Sequence, residues 1–416
     1  MTERTRLNFN ETWSMAVGGM VGGGIFSTLG VVIALAGDWA WLSFTVAGVI
    51  ALAAGYSYAR LAVHYDQGGG AFTFLRKINA EHFAASLAWI LIIGYVLTNA
   101  VYAFTFGEYL AHVAGQEAWF ARTAAIAIMA AFIALNLRGV GEAGGVEVFL
   151  VWFKLAVLVA LAGWGLSQWN PPMLSRGVPD TGLTAAVFAA ASVFMAYEGF
   201  QLLTYDYADI QSVRSTLPRA VMSAIIAVAL LYVLVAVGTA MLIGADTVVA
   251  HQEVALAIAG EQAFGVAGLA LVTLGAAFST GSAINSTLFA TARLARQVAD
   301  AGDLPESLGH RNRAGIPDRA VVVLGSLAAL LAAVGTLHGL VEAASLAFLF
   351  TFTVVSALAF RARAGNRWVT GFGALTAGAA TMALTIRLAR EDPLPLAGLV
   401  AMLLVAITGR RLLAGR

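Results

Sequence analysis

Gly18-Gly19-Met20-Val21-Gly22-Gly23-Gly24-Ile25-Phe26 lies inside an apolar stretch, residues 12–36, that is long enough to cross a bilayer. Each of its five glycines costs a helix about 1 kcal/mol relative to alanine. Gly18-Gly22 and Gly19-Gly23 have the small-xxx-small spacing of close helix packing, but packing needs glycine on one face only. Gly22, Gly23 and Gly24 are consecutive and point around the axis, so the run reads as an unwound segment. Hydrocarbon offers no partner to freed N–H and C=O groups. A break of this kind is therefore tolerated only where protein buries it or where it lines a cavity that something polar enters.

The 416 residues are 60% hydrophobic and 11% charged, with mean hydropathy +0.83. Soluble domains carry about 25% charged residues, so the chain reads as an all-α polytopic membrane protein. Twelve transmembrane spans are expected, at 12–36, 39–62, 83–113, 120–137, 146–168, 183–205, 220–243, 264–292, 319–337, 340–360, 367–387 and 393–411. Thr2 to Thr12 lacks the pattern of a removable signal peptide, so the first span is taken as retained. With both termini cytoplasmic, nineteen Lys and Arg fall inside and only Arg122, Arg176, Arg387 and Arg390 outside, as the positive-inside rule requires. The formal net charge of +1 and the lack of a basic stripe give no reason to expect a nucleic acid partner. With no cysteine, disulfides, thiol catalysis and cysteine metal sites are excluded.

A second interruption, Phe194-Met195-Ala196-Tyr197-Glu198-Gly199-Phe200, puts a carboxylate and a glycine in the middle of the sixth span. Glu198 there costs roughly 2.5 kcal/mol or more on insertion scales unless it faces a cavity or a partner; a misplaced helix end or a structural ion pair is the alternative. Interrupted helices at matching places in two halves point to an inverted-repeat transporter with its site at the bilayer midplane. The halves show no residue-level repeat, so the symmetry is positional. Half-helix N–H groups attract an anion and exposed carbonyls attract a cation; a zwitterion such as an amino acid satisfies both.

These residues resemble the amino acid–polyamine–organocation (APC) superfamily. Gly22-Gly23-Gly24-Ile25-Phe26 is similar to its Gly-x-Gly-Ile-Phe signature, and Phe194, Tyr197, Gly199 and Phe200 to its Phe-x-x-Tyr-x-Gly-Phe pattern. Tyr65 to Phe72 resembles the superfamily's loop after helix 2, with Asp66 in place of the usual proline. Asn136-Leu137-Arg138-Gly139-Val140 and the stretch from Ala292-Arg293 to Gly302-Asp303-Leu304-Pro305 are further matches, over about residues 8 to 410. Tyr205-Asp206-Tyr207-Ala208-Asp209 and Leu217-Pro218-Arg219 depart from the usual Glu-Glu and Asn-Pro, which bears on the subfamily and the inner gate.

The resemblance implies a LeuT-type fold. Residues 1–168 (helices 1–5) and 183–361 (helices 6–10) would be inverted repeats, and 362–416 two peripheral helices, in one membrane domain. It implies a substrate carboxylate on the backbone of Met20, Val21, Gly22, Gly23 and Gly24, and an ammonium on carbonyls near Val17 and at Phe194, Met195, Ala196 and Tyr197. Phe194 matches the aromatic that closes over the substrate, and Glu198 would tune charge selectivity.

Lys154 is the only lysine within a span. A desolvated ammonium is disfavoured, and a lysine that can lose its proton can couple protons to conformational change; snorkelling to the inner interface is the alternative. The resemblance implies that its ammonium stands where sodium sits in sodium-coupled relatives, beside Gly18 to Val21, Ser279 and Thr280. Serine and threonine hydroxyls alone carry little weight, since they commonly bond their own helix. The expected function is secondary transport of amino acids across the cytoplasmic membrane by proton symport or exchange, with protons and the lipid bilayer as partners, in a monomer without cofactor, metal or catalytic residues. The alternative is a sodium-coupled amino acid or polyamine/organocation carrier of the same fold. A channel would need repeated filter segments or charge rings, which do not occur. An enzyme is disfavoured because His64, His82, His112, His251, His310 and His338 fall in loops or near span ends with no clustered spacing.

Overall fold

The computed structural model of the chain describes residues 6–139 and 144–414. Arg4, Val140 and Arg416 of the readings above lie outside the described residues, as do the side chains of Arg410 and Arg411. Among the described residues the backbone is helical, joined by short turns, with a single isolated parallel bridge between Leu7 and Ile210. In chain order the helices are α1 (Phe9–Met20), α2 (Gly24–Ala36), α3 (Ala40–Tyr65), α4 (Gly70–Lys77), α5 (Glu81–Ala114), α6 (Ala118–Leu137), α7 (Gly144–Ser167) and α8 (Gly182–Ser192). There follow α9 (Val213–Ile243), α10 (Ala245–Ala250), α11 (Ala255–Asp300), α12 (Asp318–Val334), α13 (Leu337–Ala362), α14 (Arg367–Glu391) and α15 (Pro393–Ala414).

Eight helical segments are long and apolar enough to cross a membrane: Gly24–Tyr65, Glu81–Ala114, Ala118–Leu137, Glu147–Ser167, Val213–Ile243, Ala255–Asp300, Leu337–Ala362 and Arg367–Glu391. The other expected spans correspond to shorter helices. α1 and α8 stop after 12 and 11 residues because the chain is broken there, α12 has 17 residues, and α15 contributes Pro393–Leu404. Within α11 the backbone kinks at Phe264 and Gly265, where the eighth span is expected to start.

Local chemistry sets the first break. Asn8 caps α1 through a reciprocal box, its side chain accepting from the Glu11 N–H while the Glu11 carboxylate accepts from the Asn8 N–H. The helix runs to Met20, Val21 to Gly23 form a turn, and α2 restarts at Gly24. The second break is longer than the sequence suggests. After Ser192 the chain makes 3-10 turns at Phe194–Tyr197, Phe200–Thr204 and Tyr207–Asp209 and regains an α-helix only at Val213, so the expected helix over 183–205 stops halfway. Glu198 is extended there and Gly199 has φ +130°, a conformation that side chains disfavour.

Both breaks are central. α1 packs against α7, α9 and α11, and α2 against α8, while α5, α3, α9 and α13 complete the surround. Val17, Met20, Val21 and Phe194 through Tyr197 have no solvent exposure. The outside is inverted relative to a soluble protein: Phe149, Trp119, Leu230 and Leu375 are exposed, a surface suited to lipid.

Candidate functional site

The two breaks touch each other through glycine. A methyl group on Gly19 would lie 2.9 Å from Gly199 Cα, and one on Gly199 would lie 2.6 Å from Met20 N. The rest of the run is hemmed in on every side: Gly18 by Glu147 Oε1, Gly22 by Ala283, Gly23 by the Tyr102 ring and Gly24 by the Tyr232 hydroxyl. The expectation that the run unwinds rather than packs is therefore corrected in part. Gly18 and Gly19 are helical and serve close approach; only Val21 to Gly23 leave the helix, and the glycines on either side admit neighbours from α5, α7, α9 and α11.

Side chains from distant helices satisfy the freed backbone groups. Tyr232 on α9 bridges the two breaks, its hydroxyl lying 2.7 Å from Met20 O and 2.9 Å from Ala196 O. Ser279 on α11 donates to Val21 O at 2.7 Å. Ser345 on α13 accepts from Met195 N at 3.0 Å and donates to Ser192 O at 2.7 Å. Val17 O accepts from Val21 N, and Met195 O from Glu198 N. Thus carbonyls expected to face a substrate ammonium have protein donors here. The Phe194 ring stands edge-on to Phe352, 5.6 Å between centroids, and the Tyr197 hydroxyl donates to Phe44 O.

Glu198 is buried and held by neutral donors: Gln201 Nε2 donates to Oε1 at 2.7 Å and the Tyr102 hydroxyl to Oε2 at 3.3 Å. Gln201 also accepts from Gly199 N, so one side chain fixes the carboxylate and the strained glycine together. The expected helix end is indeed misplaced, since α8 stops at Ser192, but Glu198 lies beyond it in the buried break and pairs with neutral groups.

Lys154 is 1% exposed, and Nζ donates to Gly18 O at 3.1 Å, so its ammonium turns inward to α1 rather than outward to an interface. Ser279 reaches the same break. Thr280 does not, because its hydroxyl donates to Ala276 O of its own helix at 2.8 Å. Sequence reasoning missed Tyr102, Tyr232, Gln201, Ser345 and Glu147; a polar group within an apolar run is the one local signal the first four carried, while Glu147 stands at the start of its span.

At one end of the bundle, Asp66 accepts from the Tyr207 hydroxyl at 2.8 Å and from Arg214 at 2.9 Å, and Asp206 accepts from Arg293 at 2.8 Å. Leu7 N–H donates to Asp209 O and Gln211 N–H to Leu7 O. The Arg214 bond, then the Tyr207 bond, hold the Asp66 carboxyl below the usual carboxylate range; burial, with Asp66 second, pushes the Tyr207 hydroxyl up to about 12. At the other end, Arg387 donates to Glu342 and to Ser192 Oγ where α8 stops. A cavity of about 370 Å³ between α5, α6, α7 and α11 reaches Glu147, Ser282 and Asn285 through an apolar lining of Phe132, Leu150 and Phe278.

Comparison with known proteins finds sequence relatives among transporters. The amino acid permease family matches residues 7–407. An uncharacterized protein of Methanocaldococcus jannaschii is 32% identical over 72% of this chain and 70% of its own length. The inner membrane transport protein YbaT of Escherichia coli is 29% identical over 84% of this chain and 82% of its own. The serine/threonine exchanger SteT of Bacillus subtilis is 24% identical over 71% and 69%.

Proposed function

We infer the function of this chain from one firm premise: it belongs to the amino acid permease family. The chain is a membrane protein of a transporter family, and we propose that it is a secondary active carrier of zwitterionic amino acids across the cytoplasmic membrane, coupled to protons by symport or exchange. Twelve spans with both termini cytoplasmic complete the reading, residues 1–168 and 183–361 forming inverted repeats and 362–416 the periphery, in a monomer. The two discontinuous helices support it, since each heads one proposed repeat.

The observation that carries the proposal is Lys154 Nζ on Gly18 O, one turn before the first break. An ammonium held there rewards one position of α1, and loss of its proton removes the reward. Backbone groups of Met20, Val21, Gly22, Gly23 and Gly24 receive the substrate carboxylate. Val17, Phe194, Met195, Ala196 and Tyr197 receive its ammonium once the donors now on Val17, Met195 and Ala196 yield, and Phe194 closes over it. Glu198 sets the charge that the site tolerates, while Ser279, without Thr280, serves the break that the lysine holds. A cationic group at this position competes with sodium for the same oxygens.

Reconstituted protein, loaded with each amino acid under imposed pH and sodium gradients, tests this. Accumulation should follow the pH gradient alone; strict sodium dependence would overturn the coupling. Lys154→Ala should abolish uphill accumulation while amino acids still shift the thermal stability, and unchanged accumulation would refute the role of the lysine.

A further inference from the structure

Glu147 is a buried carboxylate that the mechanism above does not use. It lies on α7 seven residues before Lys154, so the two side chains leave the same stretch of helix two turns, or roughly 10 Å, apart. Both reach one residue of α1: Lys154 Nζ donates to Gly18 O, and Glu147 Oε1 abuts Gly18 where a β-carbon would be. The other carboxylate oxygen accepts from Ser282 of α11 at 2.6 Å. Glu147 is only 5% exposed, and the 370 Å³ cavity opens onto it. Burying a carboxylate is costly, and a structural tie between α7 and α11 could be made by a neutral side chain at less expense.

We propose that Glu147 is a positioning residue for the coupling lysine, its negative charge holding Lys154 in the ammonium form on Gly18 and so setting the pH at which α1 is released. The inference rests on the proton-coupled reading above. The charged groups on the elements packed against α7 are otherwise engaged or exposed: Glu11 of α1 in its capping box, Arg219 of α9 over the Phe9 ring, Arg293 of α11 with Asp206, and Glu261 of α11 on the surface. Arg214 and Arg296 pair with Asp66 and Asp300. Because both ends meet at Gly18, the charges are closer than the helical rise of about 10 Å, and a fixed negative charge within that distance in an effective dielectric near 20 is worth at least about one pH unit to an ammonium. On this proposal its removal releases α1 at lower pH.

The test is the pH profile of initial uptake by the reconstituted full chain, with a radiolabelled mixture of the twenty common L-amino acids as probe. Glu147→Gln keeps the shape and a hydrogen-bonding oxygen for Ser282 but removes the charge. Its uptake midpoint should move at least about one unit toward acid, with Glu147→Asp restoring the wild-type midpoint. A Glu147→Gln midpoint equal to wild type, with only the maximal rate reduced, would make Glu147 a structural tie and overturn the proposal. If Glu147→Gln does not fold, Ser282→Ala loosens the carboxylate from its place against Gly18 and should shift the midpoint in the same direction; no shift overturns the proposal equally. Wild-type uptake that is flat with pH, or a Lys154→Ala profile identical to wild type, is the separate result that removes the coupling reading and this inference with it.

Discussion

Tyr232→Phe takes one oxygen from the place where the two breaks meet. The hydroxyl is fully buried and lies within bonding distance of Met20 O and Ala196 O, yet it has a single proton to give. At any instant one carbonyl is served and the other is not, so the loss is that of one buried acceptor rather than two. Leaving such an acceptor unpaired costs about 1–3 kcal/mol. Because the tie joins α1 to the turn after α8, the cost falls on the arrangement in which the breaks are joined. Transport through that arrangement should drop by roughly 5- to 150-fold. The ring is retained, so its packing against Phe44 and Tyr197, at 5.4 and 5.2 Å, persists. Initial uptake by reconstituted protein, read beside thermal inactivation in detergent, is the measurement. Uptake and inactivation both unchanged would show that water or another donor replaces the hydroxyl, and the bridging role would be wrong.

Gly23→Ala drives a methyl group into the Tyr102 ring, whose hydroxyl donates to Glu198, and should reduce uptake roughly 5- to 150-fold through overpacking of about 1–3 kcal/mol; Gly163→Ala, with open space around it, is the silent control. Asp66→Asn should raise labelling of a cysteine introduced beside Tyr207, against no background because the natural chain has none. The pH dependence of the Asp66 latch follows from its depressed carboxyl: the latch is complete above the ordinary carboxylate range and is lost only as pH falls through the lowered value, so labelling in wild type should be flat between about pH 5 and 8. Phe194→Ala should raise the half-saturating amino acid concentration more than it lowers the maximal rate, since the ring packs on Phe352 and holds no backbone group; a pure rate effect would remove it from the substrate contacts.

The first break was legible because its cause is local: glycines in an apolar run announce themselves. The second was legible in position but not in extent. What lets the chain after Ser192 stay out of an α-helix is Ser345 on Met195 N and Gln201 on Gly199 N, and a hydroxyl 150 residues away leaves no mark on the segment that it supports. Tyr102 and Tyr232 were invisible for a related reason. Tyrosine among apolar residues reads as core, and only the fold reveals that their hydroxyls end on a carboxylate and on two carbonyls. Lys154 stood out because charge in a span is rare, whereas Glu147, one residue inside the expected boundary at 146, carried no such signal. The substitution of Asp66 for proline drew notice as a departure; its consequence, a left-handed residue at φ 48° that proline could not adopt and that aims a carboxylate at Tyr207 and Arg214, required the backbone.

The crossing of Gly19 and Gly199 has a mechanical consequence. Interlocked side chains must change rotamer before one segment can pass another, and each such change adds a barrier. Bare backbone against bare backbone has no rotamers to reset, so the crossing acts as a bearing: it bears load in compression and offers little friction in shear. The resistance to sliding then resides in a few hydrogen bonds at its rim, and these are the bonds that a proton or an arriving substrate can exchange.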